Sequence, residues 1–257
     1  MSETTSTPDF PEPSDGVEIK FSFSADRVPA VLDSFGLREE SAKRMRIFFF
    51  DALEVDGGGS SLRLLEQGVV LRLRHVVDGP DNSTLKLRPA VAERLTGRWQ
   101  AGSPHDEDYR VEYDWGARLV LAASLDRRVS ADEIEEVVTD ERPLREAFSD
   151  EQVALLRDCG PPTTNPFDGL HVAGPITARR WDLEVEDFRG EYALRVERWE
   201  YEGDRRFVEI SLRTEDPGVA AAWRDRLMEL LERRHLTPDQ GPTKTETVLR
   251  DLLSQDR

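Results

Sequence analysis

The sequence predicts an α+β fold in which antiparallel strands dominate and helices occupy the middle and the end of the chain. Segments whose apolar and polar residues alternate recur between residues 17 and 115 and again between 176 and 213, the period of two expected of strands with one dry face. Turns rich in glycine, proline, aspartate and asparagine separate them at short spacing. Helix start signals cluster near 130–160 and after 217. Strands so spaced close into a barrel or pack as a sandwich.

Residues 1–16 (MSETTSTPDFPEPSDG) are rich in Ser, Thr, Pro and acids and read as a disordered tail. Order begins at Val17 with the alternating strand VEIKFSF. Ser24 then caps a short helix to about Phe35, with Gly36 as its stop. IFFFDALEV (47–55) reads as one strand ending in the turn Asp56-Gly57-Gly58-Gly59. VVLRLRHV (69–76), STLKLRP (83–89) and DYRVEYDW (108–115) are the next three strands. Ser130 opens the helical SADEIEEVV, and Ser149 with Gln152 forms a capping box ahead of VALLRDCG. Residues 160–175, rich in proline and glycine, read as a loop or linker. Strands resume in ITARRWDLEVEDF, YALRVERWEYE and RRFVEISLR, with turns at Gly190 and Gly203. Pro217 opens a helix to about Arg234 with Ala220, Trp223, Leu227, Leu230 and Leu231 on one face. TETVLRDLL closes the chain as a short helix.

The chain of 257 residues carries a net charge of −17, with 34% of its residues charged. That field opposes nucleic acid and anionic membrane surfaces as general partners. A local basic cluster can still bind a small anion. The single cysteine, Cys159, excludes an intrachain disulfide and fits a reducing compartment. No apolar run approaches the roughly 18 residues of a membrane span, and the N-terminus lacks a secretory pattern, so the expected location is cytoplasmic.

The informative chemistry is charge at alternate strand positions. Arg72 and Arg74 share a face opposite Leu71 and Leu73, and Lys86 shares a face with Arg88, as Glu18 does with Lys20. Arg110, Glu112 and Asp114 form another such row, as do Glu197 with Trp199, and Glu209 with Ser211 and Arg213. Spacing alone leaves two readings: a wet outer sheet face, or a wet barrel interior whose outer faces pack under helices. The second mixes cations suited to phosphate oxygens with carboxylates suited to a divalent metal. His75, His105, His171 and His235 lack zinc-site spacing. The triple glycine lacks the Lys-Ser/Thr of a phosphate loop.

In this order the motifs resemble the CYTH superfamily, the triphosphate tunnel metalloenzymes, from Val17 to roughly Leu253. Val17-Glu18-Ile19-Lys20 resembles the opening Glu-x-Glu-x-Lys strand. FFFDALEV with Leu71-Arg72-Leu73-Arg74, Thr84-Leu85-Lys86-Leu87 and Arg110-Val111-Glu112 resemble the family's aromatic-Asp hairpin, Leu-Arg-x-Arg, Thr-Leu-Lys and Arg-x-Glu strands. Arg179 or Arg180 resembles its late-strand arginine. Glu197 and Phe207-Val208-Glu209-Ile210-Ser211 resemble its metal-carboxylate strands, and Lys244 a late phosphate-contacting lysine.

The resemblance implies a closed antiparallel β-tunnel (barrel) of about eight strands with flanking helices. It spans 17–257 as a single domain with a helical middle at about 130–160. It further implies a triphosphate-bearing small molecule as partner, hydrolysed with Mg²⁺ or Mn²⁺. A silent binding module and a class IV-type adenylyl cyclase are the alternatives. Lys20, Arg72, Arg74, Lys86, Arg88, Arg110, Arg179, Arg180 and Lys244 would bind substrate. Glu197 and Glu209 would hold metal, with Glu18 and Glu112 as catalytic carboxylates. Two positions depart from the family pattern: Gly16 and Ser211 stand where it has glutamates, so the acidic half is thinned while the basic half is intact. If their loss is what silences the site, restoring glutamate at both is expected to raise activity.

Overall fold

The computed structural model describes residues 10, 13–56, 59–105, 108–162, 166–185, 188, 193–203, 205–239 and 244–253. Nine strands close into a barrel: β1 (Val17–Phe23), β2 (Lys43–Asp51), β5 (Val69–Val76), β6 (Asn82–Leu87), β7 (Asp108–Trp115), β8 (Leu119–Arg128), β9 (His171–Leu183), β10 (Leu194–Tyr201) and β11 (Arg205–Thr214). Their order around the wall is β1-β11-β10-β9-β2-β5-β6-β8-β7. Every pairing is antiparallel except the closing one, where β1 runs parallel to β7. A short hairpin of β3 (Leu53–Asp56) and β4 (Gly59–Leu62) stands outside the barrel sheet.

The expected tunnel therefore exists, with one strand more than about eight. The additional strand, β8, was not expected. Its LVLAAS start is a continuous apolar run without a period of two, so alternation could not reveal it. The expected strand at 47–55 is divided by Ala52. Asp51 makes the corner: its carboxylate accepts the backbone N–H groups of Ala52, Leu64 and Leu65 at 2.7, 2.8 and 3.0 Å. Residues 171–175, expected in a loop, already belong to β9 and pair with β2 across an irregularity between Ile47 and Phe49.

The helices are α1 (Val28–Ser34), α2 (Arg63–Glu66), α3 (Ala131–Val138), α4 (Asp150–Cys159), α5 (Pro217–Arg233) and α6 (Lys244–Leu253). The expected capping box starts α4 at Ser149, and the expected serine cap of α3 at Ser130 is also a full box, closed by Glu133. Ser24 does not cap α1. Its hydroxyl turns to Asp26, and the helix begins at Val28 with Pro29 in its first turn. Asp216 caps α5 by accepting the Gly218 N–H.

Two apolar clusters lie outside the barrel wall. Leu71, Leu73, Leu85, Val111 and Leu125 pack under Ile134 and Val137 of α3 and Leu155 of α4. Val17, Ile19, Val196, Ile210 and Leu212 pack under Val28 and Val31 of α1 and Leu227, Leu230 and Leu231 of α5. Each such side chain contributes about 1.5–3 kcal/mol. Buried Gln152 pins α4 to the wall, donating from its Nε2 to the Ser83 and Leu125 carbonyls at 3.1 and 2.8 Å.

A third cluster is different, because it lies on the lumen side. Val248, Leu249 and Leu253 of α6 pack on Met45, Ile47, Phe49, Ile176, Ala178, Trp199 and Phe207. The closing helix thus plugs part of the barrel interior.

Residues 1–9, 11 and 12, most of the expected tail, lie outside the described residues, as do Gly57, Gly58 and Gly190. Phe10 rests edge-on against Tyr113 and Trp115, with ring centroids at 5.2 and 6.0 Å. Asp15 accepts the N–H groups of Val111 and Gly102 at 2.7 and 2.6 Å.

Candidate functional site

Strand alternation and closure decide which charges enter the lumen. With the apolar residues of β1 under α1 and α5, Glu18 and Lys20 face inward, opposite Arg213 and Ser211 of β11. Glu209 pairs with Glu197 of β10, and Glu197 with Arg180 of β9. On the far side, Arg72 and Arg74 of β5 pair with Thr84 and Asn82 of β6, and Lys86 pairs with Ser124 of β8. Arg110 and Glu112 of β7 complete the ring opposite Ser124 and Ala122. The wet interior is thus the reading that the structure selects.

Arg179 and Arg180 are adjacent on β9 and point to opposite faces. Arg180 faces the tunnel. Arg179 lies outside, 3.1 Å from Glu39 and 3.2 Å from Glu200. The sequence register could not separate them because the two arginines are adjacent and flanked on both sides by apolar residues, Ala178 and Trp181.

Most lumen carboxylates gather on one side, each with cations beside it. The carboxylates of β7, β1, β11 and β10 form a continuous arc: Glu112, Asp114, Glu18, Glu209 and Glu197. In the cyclic order β5 lies four strands from β1 by one route and five by the other, so Arg72 and Arg74 face this arc across the lumen. Arg72 donates from Nη2 to Thr84 Oγ1 at 2.7 Å and stands 4.0 Å from Asp126. Arg110 binds Asp126 at 3.0 Å. Arg74 donates to Asn82 Oδ1 at 3.1 Å, and among the described residues it has no carboxylate partner. The buried Nε atoms of Arg72, Arg110 and Arg180 have no hydrogen-bond acceptor. These orphaned donors suit an anion's oxygens.

Burial pushes the Arg74 guanidinium down to about 10, and the positive neighbours Arg72 and Arg180 add to this against the pull of Glu197 and Asp126. The arginine wall is therefore a repulsive arrangement that a bound anion would relieve.

The acidic arc is tightly compensated. Asp114, 1% exposed, accepts Lys20 at 2.8 Å, Lys86 at 2.9 Å and Arg88 at 2.7 Å. Lys20 also binds Glu18 at 2.7 Å, and Arg213 lies 3.3 Å from Glu112. Lys244, the first residue of α6, places its Nζ 2.6 Å from Glu209 and 3.2 Å from Glu197, over the Trp199 ring at 4.5 Å. Burial opposes ionisation of Asp114, yet its three cations hold it well below the usual carboxylate range. Glu197 is held low in the same way, by Lys244, Arg195 and Arg74 against burial. Glu18 is lowered too, chiefly by Lys20 against burial. Lys20 and Lys244 are raised by their carboxylates against burial.

The sign of each shift sets a pH window. The lowered carboxylates add stability that is present above their ordinary values of 3.8 and 4.5 and lost as pH falls through the folded values. The raised lysines add stability that is present below 10.5 and lost as pH rises through their folded values. Melting temperature is therefore expected to be level between about pH 5 and pH 10 as far as these groups govern it. A loss of tunnel stability centred near neutrality in a thermal-melt series would contradict this.

Hard oxygen donors are present for a divalent cation. Ligand oxygens of Glu18, Glu112 and Asp114 lie within 4.8 Å of one another, and Glu197 faces Glu209 across a strand pair. The donor chemistry fits a hard divalent cation, and each of these carboxylates also has a cationic partner in the protein.

The expected remedy at Gly16 is corrected by the geometry. Gly16 has φ +148°, and a Cβ there would sit 2.3 Å from the Thr214 carbonyl oxygen. Glycine is required by the backbone, so Gly16→Glu is expected to destabilise by at least about 3 kcal/mol rather than restore a ligand. A denaturant titration checks it, and an unchanged midpoint would contradict it. Ser211 is an ordinary strand position, buried on the lumen face opposite Lys20.

Asp114 had appeared only as the end of a charged row. Its place as the acceptor of three cations depends on the parallel pairing of β7 with β1, which no local pattern predicts. Asp126, Arg195 and Arg213 also line the lumen without having been singled out as site residues. Their two-residue spacing from Ser124, Glu197 and Ser211 was the available signal.

No protein-family model and no curated protein matches the chain. Solved structures do. A candidate adenylate cyclase from Bacillus halodurans superposes with a TM-score of 0.57 at 18% identity, covering 90% of this chain and 96% of that one. A Hippeastrum protein, a candidate adenylyl cyclase with a dominant triphosphatase activity, superposes with a TM-score of 0.57 at 14% identity, covering 92% and 95%. With its closed strand barrel and charged lumen, the chain shares the fold of these two proteins.

Proposed function

We propose that the tunnel binds the triphosphate group of a small molecule and hydrolyses its terminal anhydride. The observation that carries this is the arginine wall inside a protein of net charge −17: Arg72, Arg74 and Arg180 are turned inward, Arg74 has no carboxylate partner among the described residues, and the buried Nε atoms of Arg72 and Arg180 lack an acceptor even though Arg180 also pairs with Asp182 at 3.2 Å. Lys20, Lys86, Arg88, Arg110 and Lys244 add cationic contacts from the other strands and from α6. The triphosphatase activity named for the Hippeastrum neighbour fits the same ligand.

Among triphosphates, inorganic tripolyphosphate fits best. The lumen aromatics Phe49, Trp199 and Phe207 are packed together and covered by α6, which leaves them unable to stack a base in this arrangement.

In the reaction, a water oxygen forms a bond to the terminal phosphorus, the bridging P–O bond breaks, pyrophosphate leaves, and the water's proton passes to a phosphate oxygen. The arginines offset charge on the phosphoryl oxygens and fix the chain in line. Glu18, kept ionised by Lys20, is a weak proton acceptor, so its role is to orient the attacking water, with Glu112 beside it. Mg²⁺ or Mn²⁺ held by Glu197 and Glu209 would supply Lewis-acid charge to the phosphate oxygens.

A second reading, binding without turnover, is favoured by the cationic partner on each acidic residue of the arc. A phosphate-release panel across tripolyphosphate, ATP and thiamine triphosphate with Mg²⁺ and Mn²⁺ separates the two, and cyclic AMP in the ATP reaction reports the cyclase alternative. Metal-dependent release from tripolyphosphate is expected. Retention of ligand without release under every metal would leave the binding-only reading.

A further inference from the structure

We infer that Lys244 is a resident cation that competes with a divalent metal for Glu197 and Glu209, and so sets the affinity with which this site takes metal. The inference rests on the proposed assignment of those two glutamates as metal ligands. Their carboxylates face one another on adjacent strands, the arrangement a bridging cation needs. In the structure the bridge is an ammonium: Lys244 Nζ lies 2.6 Å from Glu209 Oε1 and 3.2 Å from Glu197 Oε2.

The lysine is held there by more than charge. It is the first residue of α6, whose Val248, Leu249 and Leu253 are buried on the lumen wall. Arg250 bridges to Glu66 at 3.5 Å, and Asp251 binds Tyr201 and Arg205 at 2.9 and 3.1 Å. The Trp199 ring lies under the ammonium at 4.5 Å, while its Nε1 donates to Glu197 at 3.2 Å. A tethered ammonium acts at high effective concentration. A divalent ion must therefore displace it, and the measured metal affinity is reduced by the fraction of molecules in which Lys244 occupies the pair. Once displaced, the ammonium remains inside the lumen, where it can turn to phosphate oxygens.

The test is Mn²⁺ binding to the full chain without any phosphate ligand, read from the free-ion signal by electron paramagnetic resonance. Lys244→Met and the polar Lys244→Gln are expected to bind Mn²⁺ at least about ten-fold more tightly than wild type. Lys244→Arg, which keeps the charge, is expected to stay near wild type. Adding Glu209→Gln to Lys244→Met is expected to remove the gain, which locates it at this pair. If apo Lys244→Met is less stable, Mn²⁺ is expected to raise its melting temperature more than that of wild type. Equal or weaker Mn²⁺ binding in both neutral variants would overturn the inference, as would a gain that survives Glu209→Gln. Phosphate release is not read here, so an inactive wild type would sink the hydrolase reading while leaving this result interpretable.

Discussion

Replacing Arg72 and Arg74 together by alanine is expected to abolish the thermal shift that tripolyphosphate gives the wild type, with only a small cost to the unliganded protein from the lost hydrogen bonds to Thr84 and Asn82. Both side chains enter the lumen from β5, opposite the acidic arc. A charge-assisted hydrogen bond is worth about 1.5–3 kcal/mol, so two lost arginines weaken binding by roughly 3–6 kcal/mol, or on the order of 10² to 10⁴ in Kd. The unliganded state behaves differently because Arg74 has no carboxylate partner among the described residues and is repelled by Arg72 and Arg180. Removing such a charge relieves a cost that the empty tunnel carries, a trade of stability for binding. Thermal melts with and without tripolyphosphate measure both effects. A double variant that still shifts like the wild type would remove the arginine wall from the site.

Asp114→Asn is expected to show the opposite balance. Its carboxylate is 1% exposed and accepts Lys20, Lys86 and Arg88. The amide keeps the shape but withdraws the charge, leaving three inward cations without their common partner. Breaking a buried pair on one side costs about 3–5 kcal/mol. At roughly 2–4 °C per kcal/mol for a chain of this size, the melting temperature is expected to fall by roughly 6–20 °C. Tripolyphosphate then stabilises the variant more than the wild type, because the ligand supplies negative charge to the same lysines. A variant that melts within a degree of wild type would show that the three cations do not depend on Asp114.

The two variants mark what the amino-acid sequence discloses and what only closure provides. The basic set was legible because charges two residues apart on an alternating strand must share a face. Which face that was required the outer clusters, in which Leu71, Leu73 and Ile210 are covered by helices. β8 was hidden by its unbroken apolar start, and the inward aspect of Asp114 by a parallel pairing between strands about ninety residues apart. Gly16 could be read as a lost glutamate until the Thr214 carbonyl beside it showed that a side chain has no room. Lys244 was legible as a lumen lysine, but its seat between two glutamates depends on how α6 packs.

Equilibrium dialysis of tripolyphosphate against the wild-type chain, with divalent metal chelated, tests the central claim most directly. The arginine wall predicts one tripolyphosphate retained per chain, weakening as salt is raised and lost in the Arg72→Ala, Arg74→Ala double variant. Retention by the wild type no greater than by that variant would contradict it.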